Sequence, residues 1–367
     1  MSNRLSQAVD RYGRFSQQWY STPVLLAIIF ACLLLLPLAR EASLFGVQPL
    51  GWLSLNILIV TLVWATTAQA WNIMSGYTGQ FSFGHAAFFG IGAYATIIGI
   101  REFGLSPWIG MLVGGVIAAV VGLFIGVLSF RYNLEGHYFA LATLAFAELL
   151  RFLFNSVPWL GEGSGFFKPL PREYADGPGL AAFQFSTDLP YYYVILSFLI
   201  VITVISLAVK QSKLGLYFFA IREREDAAAA VGIPTYQYKL IGFTLSAFLT
   251  AMPGAFWAMY FDTIRPDTVF DILVNVEILL PAIVGGVGTV IGPIVGSFVV
   301  TPISEFARRS IDLHGLNNVI YGLVLVGIVL YSPKGVVSWP SRGVELLRKR
   351  TDLLSDTDDG TVHTDDE

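Results

Sequence analysis

Long apolar runs separated by short polar intervals make up most of this chain. Six runs, at about 23–39, 50–72, 107–130, 190–209, 241–261 and 316–332, contain no Asp, Glu, Lys or Arg. Crossing the hydrocarbon core of a bilayer takes about 20 apolar residues in helical form, so each run predicts a membrane-spanning helix. Two weaker runs follow the same length. Residues 80–100 are rich in glycine, and 137–155 carry Glu148 and Arg151. The stretch 275–306 is too long for one span. Pro281, then Gly285, Gly286 and Gly288, then Pro293 interrupt it.

The polar intervals give a sidedness. Arg4, Arg11 and Arg14 precede the first run, and Lys334, Arg342, Arg348, Lys349 and Arg350 follow the last. The interval 210–240 holds Lys210, Lys213, Arg222, Arg224 and Lys239. Cytoplasmic loops collect Lys and Arg, which puts all three regions in the cytoplasm. Six crossings precede 210–240, and an even number must then fall between 241–261 and 316–332. The long stretch therefore divides into a short leg, 275–286, and a helix, 289–306. The expected architecture is an all-α integral membrane protein with about ten membrane segments, some short or broken. Residues 1–22 form a cytoplasmic segment, 23–332 the membrane domain and 333–367 a basic, then acidic, disordered tail.

Composition agrees: 55% of residues are hydrophobic and 13% charged, against about 25% charged in soluble domains. The net charge of −4 hides a split, because the last seventeen residues carry seven acids and no Lys or Arg. Such a tail stays disordered, either solubilising or binding a partner. A single cysteine, Cys32, allows no intrachain disulfide. The four histidines (His85, His137, His314, His363) are scattered without metal-ligand spacing. No small-residue cleavage site follows Leu38, so the first run predicts a retained helix. The longest external interval, about 156–189, is rich in Gly and Pro and reads either as a plain surface loop or as contact for an extracytoplasmic partner.

Four motifs bear on mechanism. The stretch WNIMSGYTGQFSFGHAAFFG places Gly76, Gly79 and Gly84 in an apolar run, with Thr78, Gln80, Ser82 and His85 among them. Freed backbone groups at membrane depth must be buried in protein or line a cavity. The segment is therefore a candidate pathway break, with close helix packing through small residues as the alternative. In GGVGTVIGPIVGS, Gly288, Gly292 and Gly296 are four apart and predict one packing face. Pro293 is expected to break the helix ladder locally, which leaves Gly285, Gly286 and Gly288 as further pathway candidates. Glu148 is the acid that stands out within a span, and Arg151, three residues on, can pair with it. The run Arg222, Glu223, Arg224, Glu225, Asp226 is followed by four alanines, Ala227 and Ala228 among them, then Gly232 and Pro234. It predicts a short helix at about 222–232 outside the bilayer, suited to docking in a groove of a soluble protein or else an ordinary loop helix. No Lys is preceded by Gly or followed by Ser or Thr, so there is no Walker A phosphate loop. The basic residues flank spans and form no stripe interleaved with aromatics, which points away from nucleic acid.

Four stretches, SGYTGQFSFGHAAFFGIGAYA, HYFALATLAFAELLR, REREDAAAAVGI with KLIGFTLSAF, and PAIVGGVGTVIGPIVG, taken in this order, resemble the permease subunits of branched-chain amino-acid ABC importers of the LivM type. They spread over roughly residues 71–300. Urea permeases share much of the pattern, so urea or a short amide stays open as cargo. An ion-coupled secondary transporter, which should carry buried acids in its spans, is the other class. The resemblance implies a subunit in the cell membrane's lipid that does no covalent chemistry and takes no cofactor. It implies two ATPase subunits, a second homologous permease and an extracytoplasmic substrate-binding protein as partners. It also makes 222–232 the coupling helix that receives the ATPases' motion.

Overall fold

A computed structural model describes residues 21–41, 54–167, 179–261, 263–310, 322 and 335–338. Within these it contains twelve α-helices: α1 (Ser21–Glu41), α2 (Leu55–Trp71), α3 (His85–Phe103), α4 (Pro107–Arg131), α5 (Gly136–Ser156), α6 (Asp188–Gln211), α7 (Lys213–Glu223), α8 (Glu225–Ala230), α9 (Thr235–Tyr260), α10 (Pro266–Val269), α11 (Ile272–Gly285) and α12 (Gly292–Ser310). Seven segments are long and apolar enough to cross a membrane, and Pro23–Leu38 adds a shorter apolar helix. The protein is thus an all-α, multi-pass membrane protein. The expected span 316–332 lies outside the described residues apart from Gly322, as do the N-terminal segment before Ser21 and nearly all of the tail.

Local signals start and stop these helices. The Ser54 hydroxyl accepts from the Ile57 amide at 3.4 Å to cap α2, and the Asp271 carboxylate accepts from Leu273 at 2.7 Å to cap α11. Pro107 opens α4, where its missing N–H costs nothing. The centre of the bundle is α2, which is buried on every face from Ile57 to Trp71, as expected of a helix apolar all round. Helices α6, α9, α11 and α12 pack on it, while α3, α4 and α9 form a second group. Missing side chains allow the closest crossings. A Cβ on Gly92 would strike the Ala251 backbone of α9, and one on Gly254 would strike the Phe89 backbone of α3, the small-residue packing that membrane helices use in place of a hydrophobic drive.

The connections sort into two ends. At one end Arg222 touches Gly76 and Lys239 pairs with Glu135 and Glu225, which gathers 77–84, 131–136, 212–234 and 286–291. At the other end β1 (Phe166–Phe167) pairs antiparallel with β2 (Thr263–Ile264), and the Trp108 indole donates to the Leu180 carbonyl at 2.8 Å. This grouping is what alternate crossings require. The Glu148–Arg151 pair forms at 2.9 Å, and Asp267 of α10 joins it from 2.9 Å away. Beneath lies a ring cluster of Tyr94, Phe154, Phe166 and Phe270.

Three expectations need correction. Gly288 does not share a helix face with Gly292 and Gly296, because 286–291 is a turn and α12 begins at Gly292. Pro293 breaks nothing, since it sits in the first turn of α12 where no intrahelical bond is lost. The helix expected at 222–232 is two pieces, with Arg224 extended (φ −158°, ψ 104°) between α7 and α8.

Candidate functional site

At the end that holds the 212–234 segment, two interrupted helices meet. Helix α2 widens into a π-turn over Asn72–Gly76 and then leaves the helical path until His85. Such turns re-aim side chains and recur at functional sites. The second interruption is the turn between α11 and α12, in which Gly286 (φ 127°) and Gly288 (φ 82°) take conformations that L side chains rarely adopt.

Asn72, fully buried, joins the two. Its amide oxygen accepts from the Gly288 N–H at 2.8 Å, and its amide nitrogen donates to the Thr289 carbonyl at 2.9 Å. One side chain thereby satisfies two backbone groups of a turn more than 200 residues away, which buried backbone demands. Gly76 fits because it is glycine: a Cβ there would overlap the Asn72 amide and lie 2.8 Å from the Gly288 nitrogen. Gly285 meets the Gly292 backbone, and Gly296 meets that of Pro281 in the same way. The glycines therefore let α11 and α12 fold back on each other beside the broken end of α2.

The 212–234 segment adjoins this pair of breaks. Arg222, in the last turn of α7, donates from Nη1 to the Gly76 carbonyl at 2.5 Å. Lys239 of α9 is buried and pairs with Glu225 of α8, with Glu135 at 3.6 Å and with the Phe130 ring 5.2 Å away. Glu225 and Asp226 occupy the first turn of α8, where the helix dipole favours acids. Gly232 (φ 88°) ends α8: its N–H bonds to Ala229 and that of Ile233 to Ala228, the Schellman arrangement. Ala228 is buried against the protein, while Glu223, Arg224, Asp226, Ala227, Ala229 and Val231 are exposed.

The remaining polar candidates serve packing. The Thr78 hydroxyl donates to the Met74 carbonyl at 2.7 Å. His85 lies between Ser82, at 3.1 Å, and Ser246 of α9, at 2.8 Å, and the Ser246 hydroxyl donates to the Ala70 carbonyl at 2.7 Å. Because Ser246 spends its proton there, His85 donates from Nε2, and the ring ties the start of α3 to α9. Gln80 is buried, with its side-chain oxygen unpartnered among the described residues. Gly79, with φ 75°, turns the chain under Arg222. The breaks and the charged run therefore converge, and His85 closes the first break, held by Ser82 and by Ser246 of α9.

Sequence reasoning passed over Asn72, Lys239 and two acids. A lone Asn at the end of an apolar run is the signal that marks Asn72. Glu148 is not the one notable acid in the membrane domain, since Glu277 of α11 and Glu305 of α12 also lie there. Together with Trp64, Thr301 and Ser304 they line a cavity of about 10 Å³, room for about one water.

Comparison with known proteins completes the picture. A family described as branched-chain amino acid transport system / permease component matches residues 53–330. The high-affinity branched-chain amino acid transport system permease protein LivM of Escherichia coli is 23% identical over 77% of this chain and 70% of its own length. The autoinducer 2 import system permease protein LsrC of Salmonella typhimurium is 24% identical over 87% of both chains. The branched-chain amino acid permease protein BraD of Pseudomonas aeruginosa is 22% identical over 78% of this chain and 94% of its own. No solved structure matches.

Proposed function

Because this chain belongs to the family of branched-chain amino-acid transport system permease components, we propose that it forms part of the translocation path of an ATP-driven importer of branched-chain amino acids. Its partners in this reading are a second homologous permease, two ATPase subunits and an extracytoplasmic binding protein. The observation that carries the coupling role is the 212–234 segment, in which α8 is largely exposed while Arg222 of the adjoining α7 bonds to the interrupted α2 at Gly76. ATP binding on the partners biases a two-state path through this segment, and the end that holds it is cytoplasmic, in line with its Lys and Arg. The family description and two of the three relatives name branched-chain amino acids, which favours that cargo over autoinducer 2, urea or a short amide.

Deleting the gene should remove high-affinity uptake of labelled leucine or valine by at least tenfold. Leucine uptake unchanged, with loss of autoinducer 2 or urea uptake instead, would overturn the cargo and leave the permease role standing.

Docking is tested on α8. Replacing Ala229, which is exposed, with Trp should lower the ATPase subunit retained on the purified permease without changing the yield of the permease itself. The same change at Ala228, which is buried, should instead lower permease stability by about 1–3 kcal/mol, the usual range for an overfilled packed site. Normal ATPase retention by Ala229→Trp would remove α8 from the docking surface.

A further inference from the structure

Arg222 meets both helix interruptions at once. Its Nη1 bonds to the Gly76 carbonyl at the end of the π-turn. A Cβ placed on Gly79 would lie 3.0 Å from the Arg222 Cγ, and one placed on Gly288 would overlap its Nη1 and lie 3.2 Å from its Cζ. Two glycines from segments about 200 residues apart thus leave the space that one arginine side chain fills. The Gly76 carbonyl, where α2 loses its helical path, gains a charge-assisted partner there.

We propose that Arg222 is a positioning residue for transport, transmitting displacement of the docking segment to both interrupted helices. The proposal rests on reading 212–234 as that segment. Arg222 closes α7, and the extended Arg224 joins α7 to α8. Motion imposed on α8 therefore reaches Arg222 within a few residues of backbone. From the guanidinium it passes to the Gly76 carbonyl, and through Asn72 to Gly288 and Thr289. These polar contacts, joined by the backbone of the π-turn Asn72–Gly76, form a contiguous physical path between the segments. Lysine keeps the charge but lacks the planar fork, so it should serve only in part.

The test uses the complete importer, with both permeases, the ATPases and the binding protein, reconstituted in vesicles. Three quantities are read for wild type, Arg222→Ala, Arg222→Lys and Gly288→Ala: ATPase subunit retained, labelled leucine transported, and ATP hydrolysed per leucine. Arg222→Ala should cut transport at least tenfold while ATPase retention changes less than twofold, so that ATP consumed per leucine rises at least fivefold. Arg222→Lys should recover part of the coupling. Gly288→Ala, which invades the guanidinium's space, should uncouple as Arg222→Ala does. If Arg222→Ala is recovered too poorly to assay, the ATP consumed per leucine by Arg222→Lys decides alone. A wild-type ratio of ATP to leucine in the arginine variants, or a transport loss that only follows lost ATPase, overturns the proposal. If the wild-type chain itself retains no ATPase, the importer reading fails instead.

Discussion

Replacing Asn72 with leucine should lower the melting temperature of the detergent-solubilised protein by roughly 3–8 °C and abolish transport. Leucine is close in size, so the cost is one of hydrogen bonding. The Gly288 N–H and the Thr289 carbonyl each lose their bond to Asn72. An unsatisfied buried group costs about 1–3 kcal/mol, and two of them give about 2–6 kcal/mol. An unfolding entropy of about 2.1 cal/mol/K per residue over 367 residues makes each kcal/mol worth roughly 1.3 °C, which gives the stated shift. Aspartate at the same position keeps the acceptor for Gly288 and loses the donor to Thr289. Because it also sets a buried carboxylate oxygen against the Thr289 carbonyl, Asn72→Asp should cost at least as much as Asn72→Leu. A leucine variant that melts with wild type would show that the two interruptions hold together without this side chain.

The second large effect is expected at Lys239. Its ammonium is buried while Glu225 keeps some access to water and Glu135 more. Removing one partner of a buried pair costs about 3–5 kcal/mol. The solvent access of both carboxylates puts Lys239→Met at the lower end, about 3 kcal/mol. Because Glu225 belongs to α8 and Lys239 to α9, the change should free the 224–232 segment as well as destabilise the bundle. Adding Glu225→Gln removes the stranded carboxylate and should restore part of the stability, the coupling that a double-mutant cycle measures. Strictly additive effects of the two substitutions would mean that the pair contributes nothing to holding α8. Proteolysis within 224–232, compared across the single and double variants, reports the local release.

Part of this was open to reading in one dimension. Gly232 and Pro234 mark the end of α8, and the Gly232 backbone takes the left-handed conformation that such a stop requires. Glu148 and Arg151 are three residues apart, and their pairing follows from helix geometry alone. Spacing misled at Gly288, Gly292 and Gly296. A four-residue period implies a shared face only if the helix is continuous, and the turn at Gly286–Gly288 breaks it before Gly292. The acids Glu277 and Glu305 escaped notice because their segments were judged by glycine and proline content, not by charge.

Membrane class, the order of the long helices, the two interruptions and the charged run all follow from the sequence by itself. Each depends on local quantities: the length of an uncharged run, the density of glycine, the sequence of charges. Only the tertiary structure decided which polar groups meet. Asn72 reaches Gly288 and Thr289 across more than 200 residues, Arg222 reaches Gly76 across 146, and Lys239 lies between two separate loops. A buried polar side chain in a membrane protein is costly without a partner. The sequence states that need, but the partner is set by which helices pack side by side.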